Sequence, residues 1–595
     1  MDLGLMQHRG PDGSGSWRSR DGDCWLGHTR LAIVDLSESG AQPMSSATGS
    51  FHLVFNGEIY NHQQIRSQLE PQHWRGTSDT ETILAAYERW GVGMLARLKG
   101  MFALAIYNAE DRSLFVARDR FGMKPVYFCS VGEETLVASE VRVLRSLHSG
   151  SINKAGVAEY LRSGAVREEC MLWSEIRCLP PGHWLRIDAS GAQTTGNYWP
   201  TIPRKRVPST SPSMCVRQLL EYSVEDHLQA DVPVASFLSG GVDSSIITAL
   251  AAQKLGRPLR TFSVAFRQNR FDESKIATEV ARRYHTEHTR LELQEEEVLA
   301  LVEQALRGLD LPSVDALNTY IIAHSVAQSG IKVALSGLGS DELFGGYSVF
   351  RETSLLRYLS RMSQPMRRAF SWLGGKGRRL ADLPVNASPG AIARWRRRFF
   401  TDAELQQLGL PTPPMSSELV SPSRCQDAFA DITVSELTGY MRDMLLRDSD
   451  QMSMAVSLEL RLPFLDHELV DYVLALPASV KERRGVLKPL LIDACKDLIP
   501  PEVYQRPKMG FGLPMSEWMC GPLAGLVTEG LDAVSRLRLL PASSRAEMGW
   551  AFRNGKLHWT RVWSWVVLGL YLDRHCVGLP LEIKELTPEL IPQAG

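Results

Sequence analysis

The feature that most restricts this chain is the run Ser239-Gly240-Gly241-Val242-Asp243-Ser244-Ser245. It follows the apolar stretch Pro233 to Leu238 and opens a helical pattern from about Ser244 to Leu255. A buried strand feeding a Gly-rich turn and then a helix belongs to parallel, helix-covered sheets. The two glycines let the backbone approach a ligand closely and present successive N–H groups. The helix start adds partial positive charge, so the loop suits a phosphate. Ser239, Ser244 and Ser245 supply hydroxyl donors. Asp243 is out of place in a pure anion cradle, and a Mg2+ ion bridging it to the phosphates accounts for it. The lysine of the common P-loop is missing.

The same alternation surrounds this loop. Helical patterns cover Leu219 to Leu228, Ser274 to Tyr284, Glu295 to Leu306 and Ala316 to Ser329. Strands are expected at Leu259 to Phe266 and at Ile331 to Leu335, the latter ending in a second Gly-rich loop. Ligands of such sheets bind beyond the carboxyl ends of the strands, where both loops fall. The earlier chain reads differently. Short apolar or alternating runs recur at Trp25 to Val34, Phe51 to Phe55, Met101 to Tyr107, Leu114 to Ala117 and Val126 to Cys129. Asn56-Gly57 and Phe121-Gly122 read as turns between them. One helix is expected at Asp79 to Trp90, capped by Asp79 or Ser78. Pro200 to Ser213 reads as a linker. Residues 351 to 430 are helical and polar without a legible motif, and Trp559 to Leu572 reads as a buried helix.

At 595 residues the chain exceeds what one core usually serves, so two or more domains are expected. A formal net charge of -1 supplies no global field for nucleic acid or an anionic membrane, and neither is expected as a partner. The basic runs Arg394 to Arg398 and Arg367-Arg368 read as solvated helix faces. Nine cysteines lack metal-ligand spacing and suggest neither a zinc site nor a disulfide framework, which fits a reducing cytoplasm. No apolar run reaches the ~18 residues that span a bilayer.

Ser239 to Ser245 resembles the signature of the ATP pyrophosphatases. The chain as a whole resembles the asparagine synthetase B family. The segments that carry this are His8 to Asp12, His28 to Asp35, Phe55 to Asn61, Ser336 to Tyr347 and Leu460 to Asp466. The resemblance implies an α+β sandwich of the N-terminal-nucleophile type followed by an α/β ATP-pyrophosphatase domain, a parallel sheet with helical extensions. The implied division is a glutamine amidotransferase domain over 1–199, a linker over 200–213, the ligase domain over 214–578 and a tail over 579–595. The implied reaction is adenylation of aspartate by ATP with Mg2+, then amidation with nitrogen from glutamine or ammonia. The family also allows a homodimer.

Residue by residue, the resemblance places ATP against Phe237, Ser239, Gly240, Gly241, Asp243, Ser244, Ser245, Val264, Ser336 and Gly337, with Asp243 and Asp341 on the metal. Lys488 matches the family's catalytic lysine, and Lys508 is a second candidate. Glutamine would meet Arg30, Leu31, Ala32, Ile33, Val34, Glu58 and Asp79, with Asn56 and Gly57 as the oxyanion hole. A guanidinium suits a carboxylate, and paired N–H donors suit an oxyanion.

Two departures stand out. The family's nucleophile is a cysteine at residue 1 of the mature chain, whereas Met1 here precedes Asp2 and the first cysteine is Cys24. Either the start lies upstream of Met1 or glutaminase activity has been lost. Leu338 occupies a position where the family usually carries glutamate, and leucine transfers no proton. Glu342 is a substitute by position alone. The alternatives are the same chemistry on another carboxylate, in a polysaccharide or natural-product pathway, or a non-catalytic scaffold of the same fold.

Overall fold

The computed structural model describes residues 2–69, 73–148, 150–200, 211–266, 274–370, 375–412, 425, 427–505, 513–575 and 583–584. Most of the linker, Lys508 and nearly all of the tail fall outside the described residues.

The N-terminal region is a sandwich. Its main sheet has six antiparallel-paired strands in the order Gln193–Asn197, His183–Ile187, Ser113–Arg118, Gly100–Asn108, Phe51–Ile59 and Met44–Ser45. Side chains alternate across a strand, so each strand feeds two layers. Phe102, Leu104 and Ile106 join Leu53 and Phe55 against Ile83 and Leu84 of helix Asp79–Trp90. Ala103, Ala105 and Val116 face the other way, onto Phe128 of a second, three-stranded sheet and Val126 just before its strand Tyr127–Val131. That is the expected sandwich of sheets under helices. Ser78, not Asp79, caps the helix: its side chain accepts the Thr80 N–H at 3.2 Å.

Asn56-Gly57 is not a turn. It lies inside the nine-residue strand Phe51–Ile59, with Gly57 opposite Phe102. Gly57 has φ +149, and a Cβ there would sit 2.0 Å from the Met101 carbonyl oxygen. The glycine is needed for close strand approach, a demand that looks like a turn signal in sequence.

The second region holds five parallel strands in the order Glu287–Leu293, Arg260–Phe266, Val234–Phe237, Val333–Leu335 and Glu459–Arg461. The strand order reverses at Val234–Phe237, which makes its carboxyl end the switch point where ligands of such sheets bind. Two strands escaped the sequence reading. Glu287–Leu293 is a charged edge strand, and Glu459–Arg461 hides two buried charges that pair with each other at 2.9 Å. Helix Trp559–His575 is buried along Val562 to Leu572, as its apolar run implied. No described helix is long and apolar enough to cross a membrane.

The run Arg394 to Arg398 is not a solvated face, nor is Arg367. Arg396 pairs with Glu352 at 2.9 Å, Arg397 with Glu436 at 2.7 Å and Arg398 with Asp382 at 3.1 Å, while Arg367 is buried. They tie helix Pro389–Arg396 to its neighbours, a role visible only once distant acids are brought alongside.

The two regions share apolar cores. Ile33, Tyr60, Met101 and Met123 pack into the same cluster as Val234, Ile246 and Leu335. The eight cysteines among the described residues are free.

Candidate functional site

At the carboxyl end of the parallel sheet the two Gly-rich loops touch. Gly240 takes φ +78, a conformation that glycine adopts at little cost. The Ser239 and Ser244 hydroxyls lie 3.0 Å apart, and Ser244 Oγ donates to the Gly241 carbonyl at 3.3 Å. Ser245 is fully buried beneath them. A Cβ on Gly337 would lie 2.9 Å from the Asp243 Cβ and 3.0 Å from the Ser244 nitrogen, so the second loop can press on the first only with glycine there. The Ser336 N–H donates to the Arg461 carbonyl at 2.9 Å, which anchors that loop to the edge strand. Phe237 pairs in register with Phe262, and Val264 lies two residues further along that strand, on the same face.

Lys488 closes this end. Its Nζ lies 2.7 Å from both Asp243 oxygens, 2.7 Å from Asp341 Oδ1 and 3.2 Å from Ser340 Oγ. Burial opposes the charge, but Asp243 and Asp341 outweigh it and hold the ammonium up at about 12. Lys488 takes φ +48, an uncommon conformation for a side-chain-bearing residue, at the start of helix Pro489–Cys495. Three residues distant in sequence thus meet at one point. Ser340, which also donates to Asp243 at 2.7 Å, joins them without having been singled out, although it lies within the quoted Ser336 to Tyr347 segment.

Leu338 is partly buried against the apolar core and offers no proton acceptor. Glu342 is buried and accepts the Tyr347 hydroxyl at 2.6 Å. Burial and the Asp341 charge push its carboxyl up to about 7. Arg397 stacks over Tyr347 and Tyr440, at 4.2 and 3.7 Å from their ring centres. Through Arg397, the stretch that was silent in sequence reaches Tyr347 and Tyr440.

The second cluster lies in the sandwich. A cavity of about 140 Å3 is lined by Arg30, Leu31, Ile33, Val34, Asn56, Gly57, Glu58 and Asp79. Ala32 is not part of this lining; its N–H donates to Asp12 at 2.7 Å. Asn56 Nδ2 is buried without a hydrogen-bond partner, so a donor waits at the cavity. The Arg30 guanidinium donates to the carbonyls of Asp35 and Ser37. Asp79 accepts the Ile59 N–H at 2.9 Å, yet burial pushes its carboxyl up to about 6. Burial, and then Asp79, also push the Glu58 carboxyl up, with Arg461 working against them.

Arg461 was not foreseen. It is fully buried, bonds Glu58 at 2.9 Å and Glu459 at 2.9 Å, and donates to the carbonyls of His227 and Gln229. One strand of the second region thus supports a wall of the cavity in the first. Its place inside Leu460 to Asp466 was the available signal.

Fold and loops define a class: a nucleophile-type sandwich joined to a pyrophosphatase-type parallel sheet. Residues 215–572 match the family model described as Asparagine synthase, and residues 2–199 match that of a Glutamine amidotransferase domain. A putative asparagine synthetase (glutamine-hydrolyzing) of Mycobacterium tuberculosis is 34% identical over 553 residues, covering 87% of this chain and 84% of that protein. Asparagine synthetase (glutamine-hydrolyzing) 1 of Bacillus subtilis is 32% identical over 533 residues, with 87% and 83% covered. Amidase chry2 of Gibberella zeae is 29% identical over 584 residues, with 89% and 86% covered. The chain belongs to the asparagine synthase family.

Proposed function

We propose that this protein uses ATP to activate a carboxylate, aspartate first among candidates, and amidates it with nitrogen from glutamine or ammonia. The observation that carries the reading is the meeting of Lys488, Asp243 and Asp341 beside two interlocked Gly-rich loops. A carboxylate oxygen attacks the α-phosphorus, and pyrophosphate leaves. Ammonia then attacks the acyl carbon, and AMP leaves with the formation of the amide. Lys488 supplies positive charge where phosphate charge builds up, in a pocket where burial strengthens it. The loop N–H groups and the Ser239 and Ser244 hydroxyls would orient the phosphates.

Asp243 and Asp341 fit Mg2+, because both already converge on one cation within 2.7 Å. When bound, the metal would neutralise departing pyrophosphate. In the sandwich, Asn56 and Gly57 would donate to the oxyanion of glutamine, and Arg30, Glu58 and Asp79 would orient it. We assign residues 1–199 to this half and 214–578 to the ligase half.

The absence of a proton acceptor at Leu338, an apolar side chain packed against the core, supports a second reading, the same chemistry on another carboxylate. Product analysis with ammonia or glutamine as donor separates the two. AMP and asparagine formed from aspartate retain the first reading. AMP formed only with other acids selects the second, and no AMP with any acid sinks both.

A further inference from the structure

Helix Val349–Ser360 belongs to neither pocket, yet its outer face is unusual. Val349, Phe350 and Thr353 point inward, the two apolar ones into a small core with Leu383, Ile392 and Phe429. A helix packed on one side normally turns polar residues outward. Here Leu355 is 63% and Tyr358 69% exposed, three residues apart and so on one side of the helix. Met366, at 55%, and Val385, at 57%, extend the apolar surface past the helix end, where the Asn386 N–H donates to the Ser360 carbonyl at 3.1 Å.

Charge frames this patch. Arg351 precedes Leu355 by one helical turn, Arg361 follows Tyr358 by one turn, and Arg357 precedes Arg361 by one turn at the edge of the patch; all three are exposed. From 351 to 381 the sequence contains one acidic residue, Glu352, and Arg396 occupies its carboxylate at 2.9 Å. None of the exposed residues described between 351 and 370 is acidic.

We infer that this face rests on an anionic lipid surface. Leu355, Tyr358, Met366 and Val385 enter the headgroup boundary, while Arg351, Arg357 and Arg361 pair with lipid phosphates. The combination selects the partner. Nucleic acid would use the arginines but gain little from four protruding apolar side chains, and an apolar protein surface would leave the arginines unmatched. Attachment is peripheral, and the inference is independent of which carboxylate the ligase accepts.

The test is sedimentation of the full chain with vesicles of mixed phosphatidylcholine and phosphatidylglycerol, against pure phosphatidylcholine. The protein should pellet with the anionic vesicles, stay in solution with the neutral ones, and be released as salt rises. The triple variant Arg351→Glu, Arg357→Glu, Arg361→Glu should bind at least about a hundredfold more weakly, at roughly fivefold per charge removed. The double variant Leu355→Ser, Tyr358→Ser should lose roughly tenfold or more. Both variants should melt with the parent, which separates lost binding from lost fold. Failure to pellet with anionic vesicles, or equal pelleting by the arginine variant, overturns the inference. A concentration-dependent dimer that the Leu355→Ser, Tyr358→Ser variant abolishes, without vesicle binding, would assign the face to a second copy of the chain instead.

Discussion

Lys488 meets Asp243 and Asp341 at 2.7 Å each, so the pocket at the parallel sheet balances two half-buried carboxylates with a cation from its own region. In the sandwich cavity, among the described residues, Glu58 takes its ion pair from outside its own region. Glu58 and Asp79 are both buried with carboxyls pushed upward, and the cation that reaches Glu58, Arg461, comes from a strand of the other region. The difference teaches where each pocket is vulnerable. The first should fail chemically while the fold survives. The second should fail when the contact between regions is disturbed, because a buried carboxylate without its partner is costly.

The sharpest way to break this comparison is Arg461→Met. It leaves Glu58 buried without its cation and Glu459 with Lys124 alone, at 3.9 Å, and should cost about 3–5 kcal/mol of unfolding free energy, read from urea melts. A loss under about 1 kcal/mol would show that the regions do not depend on this contact. Lys488→Ala should come next, with AMP formation falling about a hundred- to a thousandfold while the melting curve moves little. Unchanged AMP formation would remove Lys488 from the chemistry.

Asp79→Asn probes the cavity by pH. The folded carboxyl titrates near 6 against an ordinary 3.8, so the folded state holds its proton more tightly. The parent should therefore lose stability as pH rises from about 4 through 6 and hold level above that, a cost of order 1–3 kcal/mol. The Asn variant should show a shallower slope, with Glu58 supplying what remains, and equal slopes in both proteins would clear Asp79 of the effect. Ser78→Ala removes the cap at the start of the same helix and should cost about 1 kcal/mol, with no change in pH slope. A pH-dependent loss in that variant would mean that the cap and the Asp79 carboxyl act together.

Much of this protein was written in local pattern. The strand, loop and helix around Ser239 to Ser245, the helix at Asp79 to Trp90 and the buried run at Trp559 to Leu572 follow from spacing, because hydrophobic period and glycine placement act over a few residues. The segments resembling the family placed Lys488, Asp243 and Asp341 on the page before any fold was known. What spacing could not supply was pairing. Asn56-Gly57 looked like a turn, because a glycine needed for close strand contact and one needed for a bend leave the same trace. Arg394 to Arg398 looked solvated until Glu436, Glu352 and Asp382 were folded against it. Glu459–Arg461 escaped as a strand, because its two charges find their partners, each other and Glu58, only in the folded chain. The sequence alone determined the elements and the reactive residue types, since those depend on near neighbours. Only the tertiary structure decided which charges are balanced and by whom, since that depends on groups hundreds of residues apart in the chain.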